Sequence, residues 1–158
     1  MNITKIKLLP DDTATIDYQV DNETSIEKRS FEGKEKVTQD FKNAFIDTKN
    51  TFVEYLTKLK NDVARIKTLE VKFEYKGNLL KSACYQVCYA PSDEVNTPVN
   101  ITTPKLPIWN DKAKAGTFYI SGQDIDLINK VRKLAENYVN GDTRTKQIKL
   151  EVLDGTIS

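Results

Sequence analysis

The only two cysteines of this 158-residue chain, Cys84 and Cys88, stand four residues apart in the stretch LLKSACYQVCYAP. A thiol pair could form a disulfide or ligate a metal, so the local conformation decides which chemistry is open to it. The tyrosines and the valine of this stretch favour an extended strand. Two strand residues at this spacing lie about 13 Å apart, whereas a disulfide needs Cα atoms within about 7 Å. The sequence therefore predicts two free thiols in a reducing compartment.

Other groups that could carry chemistry are few. The chain has no histidine and no third cysteine, so we predict neither a metal site nor a cofactor. Without histidine the commonest general base is missing, and the six glycines form no phosphate-binding loop or dinucleotide fingerprint. The carboxylate pairs Asp11–Asp12 and Asp124–Asp126 are interpreted as a turn and a helix start. The sequence therefore predicts that the protein is not an enzyme.

Lysines and aromatic side chains gather on the segment 69–89 and in the connection that follows it. Tyrosines could stack on bases while lysines neutralise phosphates, a combination that single-strand binders use. A net charge of +1 argues against this interpretation, since lysines on a strand face are usually only solvated. The single tryptophan either pins its loop to the core or stands at a binding site. The candidate binding residues are Lys72, Tyr75, Lys76, Lys81, Tyr85, Tyr89, Lys105 and Trp109.

Three short strands are predicted in the first thirty residues, because apolar and polar residues alternate between polar turns. The third strand carries Lys28 and Arg29 side by side, which is typical of an edge strand protected by charge. From Lys36 to Lys60 the apolar spacing becomes helical and predicts one long amphipathic helix with a phenylalanine stripe. That stripe is the pattern of a core-facing surface, although a ligand box would use the same residues.

A second helix is predicted after Ser121, which would cap it, with Asp124 at the capping-box position and Ile120 and Ile125 as a hydrophobic staple. Asn140-Gly141 would end it. Between the helices, residues 69–89 predict an antiparallel hairpin turning at the sequence KGN. Residues 90–119 predict a proline-containing loop with a short strand at 99–102, and 143–158 a C-terminal extension with a short strand.

These elements predict a single α+β domain over residues 1–158, with an antiparallel sheet packed on two helices in the order βββ-α-ββ(β)-α-β. The sequence pattern of the strand with the two cysteines is apolar on both faces. Two helices on one side of the sheet would cover only one of these two faces. We therefore expect the second face to be covered by a loop or by a second copy of the chain, most simply in a homodimer.

Several short motifs occur here in a distinctive order: an ITKIKL strand, a VKFEYKG strand, a TTPKLP segment at residues 102–107, and a capped helix ending in YVNGD. In this order they resemble a family of small, largely uncharacterised proteins encoded by tailed bacteriophages, over residues 2–142. The chain departs from that family at Lys105, where histidine is usual, and in the strand at 147–153. The resemblance implies a phage accessory protein in the infected cell and no particular mechanism.

The function predicted from the sequence is binding without catalysis, most simply the capture or inhibition of a host protein or of a small signalling molecule. One alternative is single-stranded nucleic-acid binding by the 69–89 hairpin. Another is a minor structural component of the virion. Neither a signal peptide nor a membrane span is apparent, so the expected location is the cytoplasm, with no membrane partner.

Overall fold

A computed structural model describes residues 1–92 and 97–141. It has an α+β fold in which helices cover one face of a seven-stranded antiparallel sheet, which confirms the predicted fold class. The strands are β1 (Asn2–Leu8), β2 (Ala14–Asn22), β3 (Ser25–Glu32), β4 (Ile66–Lys76), β5 (Leu79–Tyr89), β6 (Val99–Thr102) and β7 (Leu106–Pro107). The helices are α1 (Gln39–Asp47), α2 (Lys49–Tyr55), a 3₁₀ helix (Thr57–Arg65) and α3 (Gln123–Val139).

The strands lie in the order β3-β2-β1-β4-β5-β6, and β7 also pairs with β5. Hairpins join β1 to β2, β2 to β3 and β4 to β5, as the alternation of residues predicts. Strand β3 is at an edge and all but one of its residues are exposed, which confirms its prediction as a charged edge strand. The short strand at 99–102 is confirmed as β6, whereas the two-residue strand β7 was not predicted.

The inner face of the sheet and the helices share the main hydrophobic core. Tyr85 and Val71 lie opposite each other on β5 and β4 and are fully buried there, as are Ile6 and Ile16 on β1 and β2. Helices α1 and α3 pack on this face and on each other. A second, smaller core cluster centres on Phe52 of α2. The phenylalanine stripe of the sequence is therefore core, and no ligand is needed to explain it.

The outer face of the sheet is polar, and the prediction of a second apolar face is wrong. Residues that pair across antiparallel strands point to the same face, and Cys84 and Cys88 pair with Lys72 and Lys67. Both thiols are free and half-buried, and Cys84 donates a hydrogen bond to the Thr103 carbonyl oxygen at 3.0 Å. The outward groups are charged enough to need no apolar cover, so the sequence argument for a dimer fails. Self-association itself stays a prediction.

The predicted helix over 36–60 is shorter and kinked. It begins at Gln39, where the Thr38 hydroxyl accepts a hydrogen bond from the Phe41 amide. At Thr48 the chain passes from α1 to α2, and the buried Thr48 hydroxyl lies 2.6 Å from the Phe45 carbonyl oxygen. A threonine that bonds back to the preceding turn bends a helix. After Leu56 the chain continues as the 3₁₀ helix, so hydrophobic spacing alone overestimated the α-helical length.

Helix α3 confirms the predicted second helix but not its cap. Its N-cap residue is Gly122, with φ at +56° and no side-chain cap, so Ser121 does not cap it. A positive φ is easily adopted by glycine. Asp124 does not close a capping box either, because its carboxylate accepts a hydrogen bond from Thr51 of α2. The aspartate thus joins two helices.

The end of α3 is fixed to the chain that follows β3. The Tyr138 hydroxyl donates a hydrogen bond to the Glu35 carbonyl oxygen at 2.5 Å and accepts one from the Ala14 amide at 3.4 Å. Its ring packs edge-to-face on Phe31 and Phe41. Gly33 lies so close that an added Cβ would clash with the hydroxyl and the ring of Tyr138. We call this arrangement the Tyr138 clasp.

In the connection after β5, the Ile108 segment pairs with Ile120, and Trp109 beside it is 53% exposed. The tryptophan ring therefore does not pin the loop to the core. The predicted strand at 147–153 and the extension 143–158 lie outside the described residues. Among the residues described, no helix has the length and apolar character needed to cross a membrane.

Candidate functional site

The hairpin residues predicted to bind do not form a stacking surface. Tyr85 is completely buried on the inner face of the sheet, so it cannot stack on a base. Tyr75 is half-buried, and its hydroxyl donates to the Ile3 carbonyl oxygen at 2.6 Å. Tyr89 is also half-buried and donates to Asp62 at 2.8 Å. The prediction fails for Tyr85 because β5 turns that residue towards the helices and not towards solvent.

The lysines predicted with them lie close to glutamates on the outer face. The Lys105 ammonium lies 2.6 Å and the Lys81 ammonium 3.8 Å from the Glu74 carboxylate. The hydrogen bond from Lys105 is the main reason why the pKa of Glu74 lies below its usual value. Lys72 lies 4.0 Å from Glu70, and Lys76 is exposed at the hairpin end. A phosphate would have to compete with these carboxylates, which weakens the nucleic-acid interpretation.

A pocket of about 560 Å³ lies instead between α2, the 3₁₀ helix and the start of α3. Its apolar lining consists of valine and leucine side chains. Its polar lining carries three carboxylates, two amides and one ammonium group. These polar residues are Asp47, Asn50, Glu54, Lys60, Gln123 and Asp124. Concave sites with a few convergent polar groups are the usual form of ligand-binding sites, so this pocket is the candidate site.

The Glu54 and Asp124 carboxyl groups both line the pocket and are neighbours there. The contact with Asp124 is the main cause that raises the pKa of Glu54 to about 7. Two adjacent carboxylates repel each other, and a shared proton relieves that repulsion. Asp124 lies in the first turn of α3, where the helix dipole favours negative charge. The raised pKa is that of Glu54, so we assign the shared proton to Glu54.

Polar groups behind this pair continue into the core. The buried Thr51 hydroxyl donates to an Asp124 carboxylate oxygen at 2.9 Å. Next to it, the Tyr85 hydroxyl is buried and has no hydrogen-bond partner among the described residues. Burial is the main cause that raises the pKa of Tyr85; the neighbouring Thr51 hydroxyl lowers it, and the charges of Asp124 and Glu54 raise it further. A row of polar groups thus runs from the core to the pocket.

Sequence analysis did not find this site, because its two halves lie far apart in the chain. Thr51 and Asp124 are separated by 73 positions, and no local spacing connects them. One pattern could have identified Asp124: it stands four residues before Ile128 and seven before Val131, on the buried stripe of α3. A carboxylate on an apolar stripe needs a polar partner in the fold.

Within residues 1–92 and 97–141, no group of three or more cysteine or carboxylate side chains is arranged to hold a metal ion. No family model, curated protein or solved structure matches this chain.

Proposed function

We propose that this protein acts by stoichiometric binding, and that its pocket receives a positively charged group with N–H donors, an ammonium or a guanidinium. The observation that carries this proposal is the Glu54–Asp124 pair at the pocket. Above pH 7 two neighbouring carboxylates would both be charged, and a cation between them would replace the proton that relieves their repulsion. Asp47 adds a third acidic group and Lys60 is the opposing cation in the lining.

The cationic group can come from a small amine or from a lysine or arginine side chain of a protein. The valine and leucine side chains of the lining suit the aliphatic part of either source. The phage resemblance, which stays a prediction, favours a component of the infected host cell as the partner.

The test is isothermal titration calorimetry at pH 6 and pH 8 with two probes, spermidine and a short arginine- and lysine-containing peptide. We expect saturable binding that is tighter at pH 8, because the shared proton has then left the pair. Glu54→Gln should lose that pH dependence. Asp126→Asn, which removes an exposed charge from the same helix turn but not from the pocket lining, is the matched control.

Absence of saturable heat with both probes at pH 8 would contradict the proposal. Binding of spermidine alone would identify a small amine as the source, and binding of the peptide alone would identify a protein side chain. A variant Glu54→Gln that binds as tightly as the unchanged protein at pH 8 would also contradict it.

A hydrolytic acid–base pair is the second candidate, because two carboxyl groups that share a proton can activate water. This candidate has less support than binding, because Glu54, which would be the acid, is exposed and no group in the lining is held as a third catalytic partner. The two candidates differ in one result: an enzyme would convert a bound probe into products, whereas a binding protein would return it unchanged after dissociation.

A further inference from the structure

Helix α3 carries a guanidinium group that forms no ion pair with a carboxylate of residues 1–92 or 97–141. The Arg132 side chain lies over the Tyr75 ring, 5.6 Å from its centroid. Its Nη1 donates to the Tyr75 hydroxyl at 3.1 Å and its Nη2 to the Asn129 amide oxygen at 2.5 Å. These contacts hold the guanidinium in one orientation. They are contacts to neutral groups, so they leave the positive charge uncompensated.

Three of the five guanidinium N–H donors of Arg132 have no acceptor in the described part of the chain. A guanidinium offers five N–H groups, and two are used by Tyr75 and Asn129. The Nε atom is buried and without a partner there. No ion pair joins Arg132 to a carboxylate of residues 1–92 or 97–141. Charged groups are rarely buried without a partner, so the buried and unpartnered Nε of Arg132 requires an explanation.

A cavity of about 180 Å³ opens beside this guanidinium. Asn129, Lys133 and Glu136 of α3 line one wall, and Ile3 and Tyr75 of the sheet line the other. Met1 also lines it, and the charged side chains of the lining are Arg132 and Lys133, both positive, and Glu136, which is negative. Burial is the main cause that raises the pKa of Tyr75, so this phenol stays neutral and is no counter-ion. These three charged side chains together carry one net positive charge.

We propose that this cavity is a second binding site, which takes an oxyanion: a carboxylate or a phosphate group. Arginine is suited to such groups, because its planar fork can donate two parallel hydrogen bonds to two oxygens of one anion. Tyr75 and Asn129 hold the Arg132 guanidinium in one orientation without a bound anion. Lys133 supplies a second positive charge. The site lies on a different flank of α3 from the acidic pocket, which is lined by Gln123 and Leu127, so it is independent of the function proposed above.

Arginine side-chain ¹H–¹⁵N NMR spectra of the full chain provide the direct test, because the Nε–H group gives its own resonance. Sodium acetate and sodium phosphate are titrated at constant ionic strength, with chloride as the balancing anion. We expect the Arg132 resonance to move and to saturate with at least one probe. The tighter probe then identifies the carboxylate or the phosphate as the preferred group.

Two exposed lysines of α3 provide a matched pair of variants. Lys133→Gln should weaken the apparent affinity about two- to fivefold, as expected for the loss of one exposed charge. Lys130→Gln should leave it unchanged, because that lysine pairs with Asp40 outside the cavity. Arg132→Gln should abolish the saturable shift of the Asn129 and Lys133 backbone amides. The Lys133 variant keeps the test valid even if the Arg132 variant does not fold.

A shift that grows linearly with each anion and never saturates would overturn the proposal. An equal affinity in the unchanged protein and in Lys133→Gln would overturn it as well, because the site then would not use the charges that define it. Neither result bears on the acidic pocket, whose probes are cations.

Discussion

Replacement of Tyr85 by phenylalanine should stabilise the protein, which is unusual for a change in a core. The Tyr85 hydroxyl is fully buried and lacks a hydrogen-bond partner among the described residues. A buried polar group without a partner costs about 1–3 kcal/mol, and Tyr85→Phe removes that cost. The void left by one oxygen is about the size of a water probe, 10–15 Å³, and costs ~0.3 kcal/mol at about 24 cal/mol per Å³.

The expected net change is therefore an increase of about 1–2.5 kcal/mol in the free energy of unfolding. Equilibrium unfolding in urea measures it as a higher midpoint at an unchanged slope. A thermal scan should give a melting temperature higher by about 2–4 °C for each kcal/mol, given the size of the chain.

Tyr138→Phe is the matched control, because the Tyr138 hydroxyl is bonded to the Glu35 carbonyl and the Ala14 amide. The free energy of unfolding of this variant should be lower by about 1 kcal/mol. The opposite signs expected for the two variants test the reasoning. If Tyr85→Phe loses stability as Tyr138→Phe does, the Tyr85 hydroxyl has a partner in solution, either a held water or the Thr51 hydroxyl, and our account of it is wrong.

Three further variants test other parts of the fold. Glu54→Gln should flatten the pH dependence of stability. Asp124 raises the pKa of Glu54 from 4.5 to about 7 in the folded protein, so the protonated Glu54 stabilises the folded state fully below pH 4.5. This contribution to the free energy of unfolding disappears as the pH rises through 7. Urea unfolding of both proteins at pH 5 and pH 8 tests this prediction. An equal change in the free energy of unfolding between the two pH values in both proteins would refute it. Gly33→Ala should lower the free energy of unfolding by about 1–3 kcal/mol, because the added methyl group would overpack against Tyr138. An unchanged free energy of unfolding would mean that the Tyr138 side chain can move aside. Phe52→Ala should cost about 3–5 kcal/mol, and a loss under 1 kcal/mol would show that the smaller core cluster contributes little.

Strand alternation and helical spacing were sufficient to predict the α+β fold, because each pattern reports which face of an element is buried. The hairpin 69–89, the edge strand with Lys28 and Arg29, and the helix after Ser121 all follow from such patterns. The patterns do not encode how elements meet. The kink at Thr48 depends on its bond to Phe45, and the positive φ of Gly122 displaces Ser121 from the cap.

The candidate sites depended even more on tertiary structure. The sequence predicts Tyr85 as a binding residue that could stack on bases, but the pairing of β4 with β5 turns it inward. The polar character of the outer face was missed because Cys84 and Cys88 count as apolar by residue type, whereas their cross-strand neighbours are lysines. The pocket joins Glu54 of α2 to Asp124 of α3, which no sequence window contains together. Local patterns predict faces, and only the packed fold identifies which polar groups share a cavity.

The Tyr138 clasp has a consequence for how this chain is made in the cell. It connects Glu35 to a residue 103 positions later, and α3 completes the cover of the same core cluster that contains β1 and β2. When only residues 1–100 have left the ribosome, α1 covers the apolar inner face of the sheet only in part. Such an unfinished fold is prone to aggregation until α3 emerges. We expect nascent chains arrested before α3 to be protease-sensitive and those that expose Tyr138 to be resistant.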